Sequence, residues 1–587
     1  MGGAAPATRR PPRFAFRLPA PWFGLAWCWL AWFWLAAAAA AATWIAYQAN
    51  GEAWTPLLTY LESPARWSAA GWALNADQLT PVALYHDLAR DWRNIWGWQF
   101  SRSPYLFPDY ALYAAIESVV GSFRWSIFLS GAVLAGGFLF SSACLVRRLT
   151  EIRSREAVAA VILTVAVPLA ALQILSPKVF YSSYFFAFFI GNHFSAYLIG
   201  VVAIFPFLRW LERPGAGAAA ALFALVALGT CSDHLTALYF TAPAGCALIG
   251  LALARRCAWT RAARLALLLA AATATGLLLA SLVTRQPHIP LTLPLSFELL
   301  LKALAPLRAL TAEAPATWTI ILLGPILCLA VGGPIMTLIG LIRLRRAGGG
   351  MDRQARGFAF FTIVAAGATA TALAYLTTTL GQEMTEANVR YLMPLLFHPL
   401  LLAATALGPR LAQAGESWRN APIVALLPLA AIVAVWGSRV PPTLTWSPPE
   451  ARDIIGCRDA FGLKAGLSNY WLSKYLMIFT NWDMQIDQVL PQYPNHIYFW
   501  VNNINWYTKS ISNPNNPPDY NFIILNRLER EPILRDYGPP DREVACGRLN
   551  LLIYDAPGAL SSHIAATRPD LAAARLDRKS TRLKSSH

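Results

Sequence analysis

The chain has 587 residues, 56% of them hydrophobic and 13% charged, with a mean hydropathy of +0.43 and a formal net charge of +17. Soluble globular proteins carry about 25% charged residues, so this composition excludes a water-soluble globular chain and, apart from the ends, a disordered one. The positive charge is carried mainly by arginines beside apolar runs, which makes it a topology signal and not the footprint of a nucleic-acid partner.

A bilayer core about 30 Å thick takes roughly 20 apolar residues as a helix. In chain order the sequence offers eleven such spans: 22–46, 125–146, 157–175, 188–208, 218–230, 235–254, 265–284, 317–342, 358–379, 391–407 and 421–437. In lipid a single segment satisfies its own backbone groups only as a helix. The expected fold is therefore an α-helical polytopic membrane protein with about eleven transmembrane helices. If the spans alternate, four arginine groups fall on one side: Arg9 to Arg17, Arg147 to Arg155, Arg255 to Arg264 and Arg343 to Arg356. The positive-inside rule makes that side cytoplasmic, the N-terminus inside and the C-terminal region outside. The first span is about twice as long as a signal-peptide core, which reads as an uncleaved anchor.

The expected domain plan is a cytoplasmic tail (1–20), a transmembrane domain (21–437) with a long outer loop (48–124), and an extracytoplasmic C-terminal α/β domain (438–576). In the outer loop, residues 75–91 have helical spacing. In the C-terminal domain, 470–479 reads as a helix, 496–501, 522–525 and 549–554 as strands, and 513–518 as a turn. Residues 577–587 resemble translated adapter sequence and are set apart from the fold as an expected non-native tail. Cys457 and Cys546 are the two cysteines of the outer domain. An oxidising compartment lets them pair, closing a loop of roughly 90 residues.

No nucleotide-binding, zinc or nucleophile-elbow motif is present in the sequence. Gly215-Ala216-Gly217 opens a membrane helix and follows no strand, so it is not a dinucleotide fingerprint. Four features sit at the expected outer face. Asp77 follows the first span, where a carboxylate can serve as a general base, help hold a divalent metal such as Mg or Mn, or cap a helix. Asp109, in Pro104 to Tyr110, is placed to cap the helix 110–120. His193, Asp233 and His234 lie at span ends, where ionisable groups mark sites by default. Arg390 and Tyr391 open a late span on the side where positive charge is sparse, and a guanidinium there suits a phosphate.

This arrangement resembles the membrane-embedded C-type glycosyltransferases (the GT-C fold), which include protein O-mannosyltransferases and bacterial aminoarabinose transferases. The resemblance covers about residues 20–440 in plan. Asp77 matches the acidic position of the first outer loop, and Arg390-Tyr391 followed by Pro394 resembles the Arg-Tyr-x-x-Pro opening of a late helix. Asn75-Ala76-Asp77, then Tyr85-His86-Asp87-Leu88, Phe107-Pro108-Asp109 and Gly466 to Trp471, also look like a group of uncharacterised bacterial membrane proteins. Many family members carry two adjacent acids in the first loop, whereas Asp77 stands alone here. The resemblance implies a membrane glycosyltransferase at the outer face of a bacterial inner membrane, using a polyprenyl-phosphate sugar and an acceptor glycan, lipid or protein. Asp77 would be the catalytic base. Arg390, Tyr391, His193, Asp233, His234 and Asp87 would bind substrate. A lipid-linked sugar transporter or flippase, or an inactive scaffold of the same fold, fits the same residues. No nucleic-acid partner is expected.

Overall fold

The computed structural model describes residues 74–166, 190–284, 328–377, 390–413, 447–489, 501–511, 513–556 and 558–567. The expected spans at 22–46 and 421–437, with the anchor reading of the first, lie outside these residues. So do the tail 577–587, most of the expected strand 496–501, and parts of the spans at 157–175, 188–208, 317–342 and 358–379.

The first described element is helix α1 (Ala76–Arg90), capped by Asn75, whose side chain accepts from the N–H groups of Asp77 and Gln78. The cap satisfies two of the orphan donors of the first turn. A short strand β1 (Trp98–Gln99) and helix α2 (Ala111–Val120) follow. Then come the long apolar helices: α3 (Phe123–Thr150), the start of α4 (Ser154–Val161), α5 (Phe194–Glu212), α6 (Ala216–Ser232), α7 (Ala242–Leu253), α8 (Trp259–Val283), α9 (Gly333–Ala347), α10 (Arg353–Thr377) and α11 (Met393–Gln413).

Among the described residues, six helical stretches are long and apolar enough to cross a membrane: Phe123–Thr150, Phe194–Glu212, Trp259–Val283, Cys328–Ala347, Arg353–Thr377 and Arg390–Gln413. Two shorter apolar helices, Ala216–Ser232 and Ala237–Leu253, pack among them. Leu267, Leu278 and Leu282 on α8 and Ile335 and Leu338 on α9 are exposed. Exposed rows of large apolar side chains fit lipid as the surrounding solvent. Where α8 crosses α6 the backbones nearly touch: a Cβ on Gly276 would lie 2.6 Å from the Ala227 carbonyl oxygen. Small residues allow that approach in membrane bundles.

The arginine groups of the described helices gather at one end of the bundle. There Arg148 and Arg356 both pair with Glu212, and Arg356 also reaches Glu151. The buried Arg256 donates to Leu344 O and Gly350 O and pairs with Asp352.

The C-terminal domain follows the bundle: α12 (Pro449–Phe461), β2 (Ala465–Ser468), α13 (Tyr470–Phe479), β3 (Gln485–Gln488), β4 (Asn502–Asn503), β5 (Tyr520–Ile524), α14 (Arg530–Tyr537), β6 (Arg542–Cys546), β7 (Leu549–Ile553) and α15 (Ala559–Thr567). Its five-stranded sheet runs β3-β2-β5-β7-β6. β2 pairs in parallel with β3 and β5, while β7 pairs antiparallel with β5 and β6. Cys457 on α12 and Cys546 on β6 are joined in a disulfide, with Cα atoms 6.1 Å apart.

The domain is fastened to the residue 74–110 segment. β1 pairs antiparallel with β4, matching Trp98 with Asn503. A Cβ on Gly97 would lie 2.1 Å from Asn503 Oδ1, so a larger residue there would have to displace the Asn503 and Asn505 side chains. His86 stacks on Trp482 at 3.8 Å, and Arg90 donates to Ile511 O at 2.6 Å.

Candidate functional site

Four helices begin at the end of the bundle opposite the paired arginines. They are α1, α5, α11 and, from the C-terminal domain, α13. Their first residues are linked by contact. Asp77, in the first turn of α1, pairs with Arg390 Nη1 at 3.2 Å, just ahead of α11. Tyr470, the first residue of α13, donates its hydroxyl to the other Asp77 oxygen at 2.5 Å. Asn192, just ahead of α5, accepts from Arg390 Nη1 at 3.4 Å. The His193 ring lies 4.6 Å from that of Tyr391. Each helix start brings the positive end of its dipole to this place, those of α1 and α13 with N–H groups already capped by Asn75 and Asn469. Together with Arg390 they create a field that favours an anion.

The sheet brings α13 to this place. Chain order reverses at β2: its helix leads to β3 on one side, while β5 lies on the other. The carboxyl ends of β2 and β5 therefore form a switch point, the usual place for a ligand crevice in an open α/β sheet. Asn469 bridges it, capping α13 through Trp471 N and Leu472 N while donating to Asn526 O at 2.6 Å.

Several buried polar atoms here have no hydrogen-bond partner among the described residues. They include Arg390 Nε, both amide atoms of Gln78, and Ser468 Oγ. Such groups are costly to leave unpaired and mark places where a ligand or water completes the set. Lys474, fully buried one turn along α13, donates to Val501 O at 2.5 Å and sits 4.6 Å from the Tyr470 ring centre. Burial pulls its amine down to about 7, against the opposing attraction of Asp77.

His193 and Asp233 come together as a buried pair, Nδ1 to Oδ2, at 2.6 Å. Ser103 Oγ (2.9 Å) and Leu235 N (3.1 Å) hold the other Asp233 oxygen. Burial works against the Asp233 charge, yet His193 and these hydrogen bonds hold its carboxyl below the usual carboxylate range. The Tyr105 hydroxyl lies against the same ring, 2.9 Å from Nε2 and 3.3 Å from Nδ1. His234, half-buried at the same turn, accepts from Ala237 N through its backbone carbonyl.

Asp87 is placed differently. Ten residues beyond Asp77 on α1, it lies about 15 Å further along the helix axis. It accepts from Trp98 Nε1 (2.8 Å), Asn94 Nδ2 (3.0 Å) and Asn503. Burial raises its carboxyl above the ordinary value, against these hydrogen bonds. Its partners make it part of the seam between segment 74–110 and the C-terminal domain.

Asp109 does not cap α2 as expected. It accepts from Gly191 N at 2.9 Å, ahead of α5, and burial pushes its carboxyl up to about 6. The cap of α1 is Asn75, which leaves the Asp77 carboxylate for Arg390 and Tyr470. Among the described residues no three His, Cys, Asp or Glu side chains gather as a metal site. Asp77 has a guanidinium and an amine for neighbours, a setting that suits an anion and not Mg or Mn.

Tyr105, Tyr470 and Lys474 were not singled out for chemistry by sequence reasoning. A signal existed for the last two: Gly466 to Trp471 stands out as a motif, and Lys474 is a charge on the apolar face of a helix. Compared with protein-family models, curated proteins and solved structures, the chain matches none.

Proposed function

We propose that the chain is an integral membrane glycosyltransferase that takes a sugar from a polyprenyl-phosphate donor. The carrying observation is the meeting of Arg390 with four helix N-termini around Asp77, which gives a phosphate seat beside a carboxylate. Arg390 and Tyr391 hold the donor phosphate. Asp77 accepts the proton of the acceptor hydroxyl as its oxygen attacks the anomeric carbon. When the phosphate takes the guanidinium, the Asp77 oxygen that Arg390 held is free to face the acceptor hydroxyl. Tyr470 keeps it aimed. The switch-point crevice of the C-terminal domain receives the acceptor, a glycan, lipid or protein hydroxyl. Asp87 serves the site indirectly by fastening that domain to α1.

In this reading the arginine-rich end is cytoplasmic, and the site with its disulfide-bonded domain faces the outside of a bacterial inner membrane. The alternatives are a lipid-linked sugar transporter or flippase and an inactive scaffold. A half-buried carboxylate held at hydrogen-bond distance from a phenol and a guanidinium favours chemistry over passage.

The test is turnover of a radiolabelled panel of polyprenyl-phosphate sugars in membranes holding wild type or Asp77→Asn at equal expression. Transfer by wild type that drops about 100-fold or more in the variant supports the reading. Wild-type membranes that move labelled lipid without forming a glycoside would replace it with transport.

A further inference from the structure

Tyr105, His193 and Asp233 form a hydrogen-bonded chain that the proposed transfer has not used. Asp233 is 1% exposed and His193 3%. The contacts are 2.6 Å from Asp233 Oδ2 to His193 Nδ1, and from the Tyr105 hydroxyl 2.9 Å to His193 Nε2 and 3.3 Å to Nδ1. Two links have left-handed backbones, Tyr105 at φ 52° and His193 at φ 65°. That conformation is costly for bulky L-residues and persists only where the surroundings enforce it, most often at working sites. Enforcement is visible here. Tyr105 N donates to Ser232 O at 3.0 Å, and Phe107 N donates to Ser232 Oγ at 2.9 Å. The chain also abuts the phosphate seat, since the His193 ring is 4.6 Å from that of Tyr391 and Asn192 is bonded to Arg390.

We infer that Tyr105 is the proton donor to the departing phosphate, with His193 and Asp233 as its positioning pair; the inference rests on the transferase reading. Burial and the nearby Asp233 charge push the Tyr105 phenol well above its ordinary value, so it rests protonated and releases that proton only as one from His193 replaces it. In the step, the acceptor oxygen forms its bond to the anomeric carbon and gives its proton to Asp77. The bond from that carbon to the bridging phosphate oxygen breaks, and its electron pair stays on the phosphate. The Tyr105 proton moves to that oxygen, and a proton on His193 Nε2 refills Tyr105. Solvent resets Asp77 and His193 after product leaves.

A leaving-group comparison with purified full-length protein in nanodiscs tests this. Two donors are used: the oxygen-bridged polyprenyl-phosphate sugar and its analogue with sulfur at the bridging position. Departing sulfur carries its charge without protonation, so an acid catalyst matters little to it. Tyr105→Phe, which keeps the ring, is expected to slow transfer from the oxygen donor about 100-fold with its donor KM within about threefold, and from the sulfur donor less than about fivefold. Asp233→Asn is expected to show the same selectivity at smaller size. Equal losses on both donors would assign the chain a structural role, and no loss on either would remove Tyr105 from the reaction; both overturn the inference while leaving the transferase reading standing. Wild type inactive on both donors overturns the reading and the inference together.

Discussion

At one end of the bundle Arg356 lies between Glu212 and Glu151, and Glu212 also holds Arg148. At the other end Arg390 faces one carboxylate, Asp77, and leaves its Nε without a partner among the described residues. The same residue type does two jobs. Where guanidinium and carboxylate groups interlock in a network, each charge is answered by protein and the result is a fastened helix end. Where one guanidinium meets one carboxylate and keeps a buried N–H unanswered among the described residues, an anion has room to compete. The number of partners, more than the presence of an ion pair, separates architecture from a binding site.

The largest expected effect that sharpens this contrast is at Arg390. Arg390→Ala should weaken binding of polyprenyl phosphate about 100-fold, roughly 2.7 kcal/mol, read by native mass spectrometry or titration in nanodiscs. Unchanged affinity would remove Arg390 from the phosphate role. Arg356→Ala comes next. It should lower stability by only about 1 kcal/mol, since Glu212 keeps Arg148 and Glu151 is more than half exposed, and leave phosphate affinity within about twofold. A matching loss of affinity would erase the distinction between the two ends.

The smallest effect is a pH dependence confined to the site end. Burial first, then Arg90, pulls His86 from 6.5 down to about 4. The unfolded chain therefore takes up a proton near 6.5 that the folded seam refuses until about 4. The stabilisation from neutral His86 is complete above pH 6.5 and is lost as pH falls toward 4. Asp87 acts in the opposite sense, because burial favours its protonated form. Hydrogen exchange at Asn502 and Asn503, corrected for intrinsic rate, should show weaker protection at pH 5 than at pH 7. His86→Phe keeps the stack on Trp482 and should flatten that difference; an undiminished response would place its source elsewhere.

Local features were legible where their cause is local. The α1 boundary follows from the Asn75 cap, and the expected helix 470–479 matches Tyr470–Phe479. The strands at 522–525 and 549–554 appear as Tyr520–Ile524 and Leu549–Ile553. Asp77 and Arg390 were each marked by their place beside a span, and the fold sets them 3.2 Å apart. What stayed hidden depends on distant partners. Asp109 looks like a cap because nothing nearby reveals that its acceptor role is filled at Gly191. Tyr105 carries no mark of its left-handed backbone, which Ser232 imposes from across the fold. Tyr470 reads as an ordinary helix start until the sheet turns it toward Asp77.

The distances along the chain between these partners have a consequence for biogenesis. Arg390 is 313 residues beyond Asp77, Tyr470 is 393 beyond it, and Asn503 is 416 beyond Asp87. Synthesis runs from the N-terminus, so α1 is made early and waits with a buried-to-be carboxylate at each end. Only when the C-terminal domain has been made as far as Asn503 are Asp77 and Asp87 both fully answered. Completion of the site is then a late event in assembly, and a half-made chain already seated in the bilayer is silent toward the lipids around it.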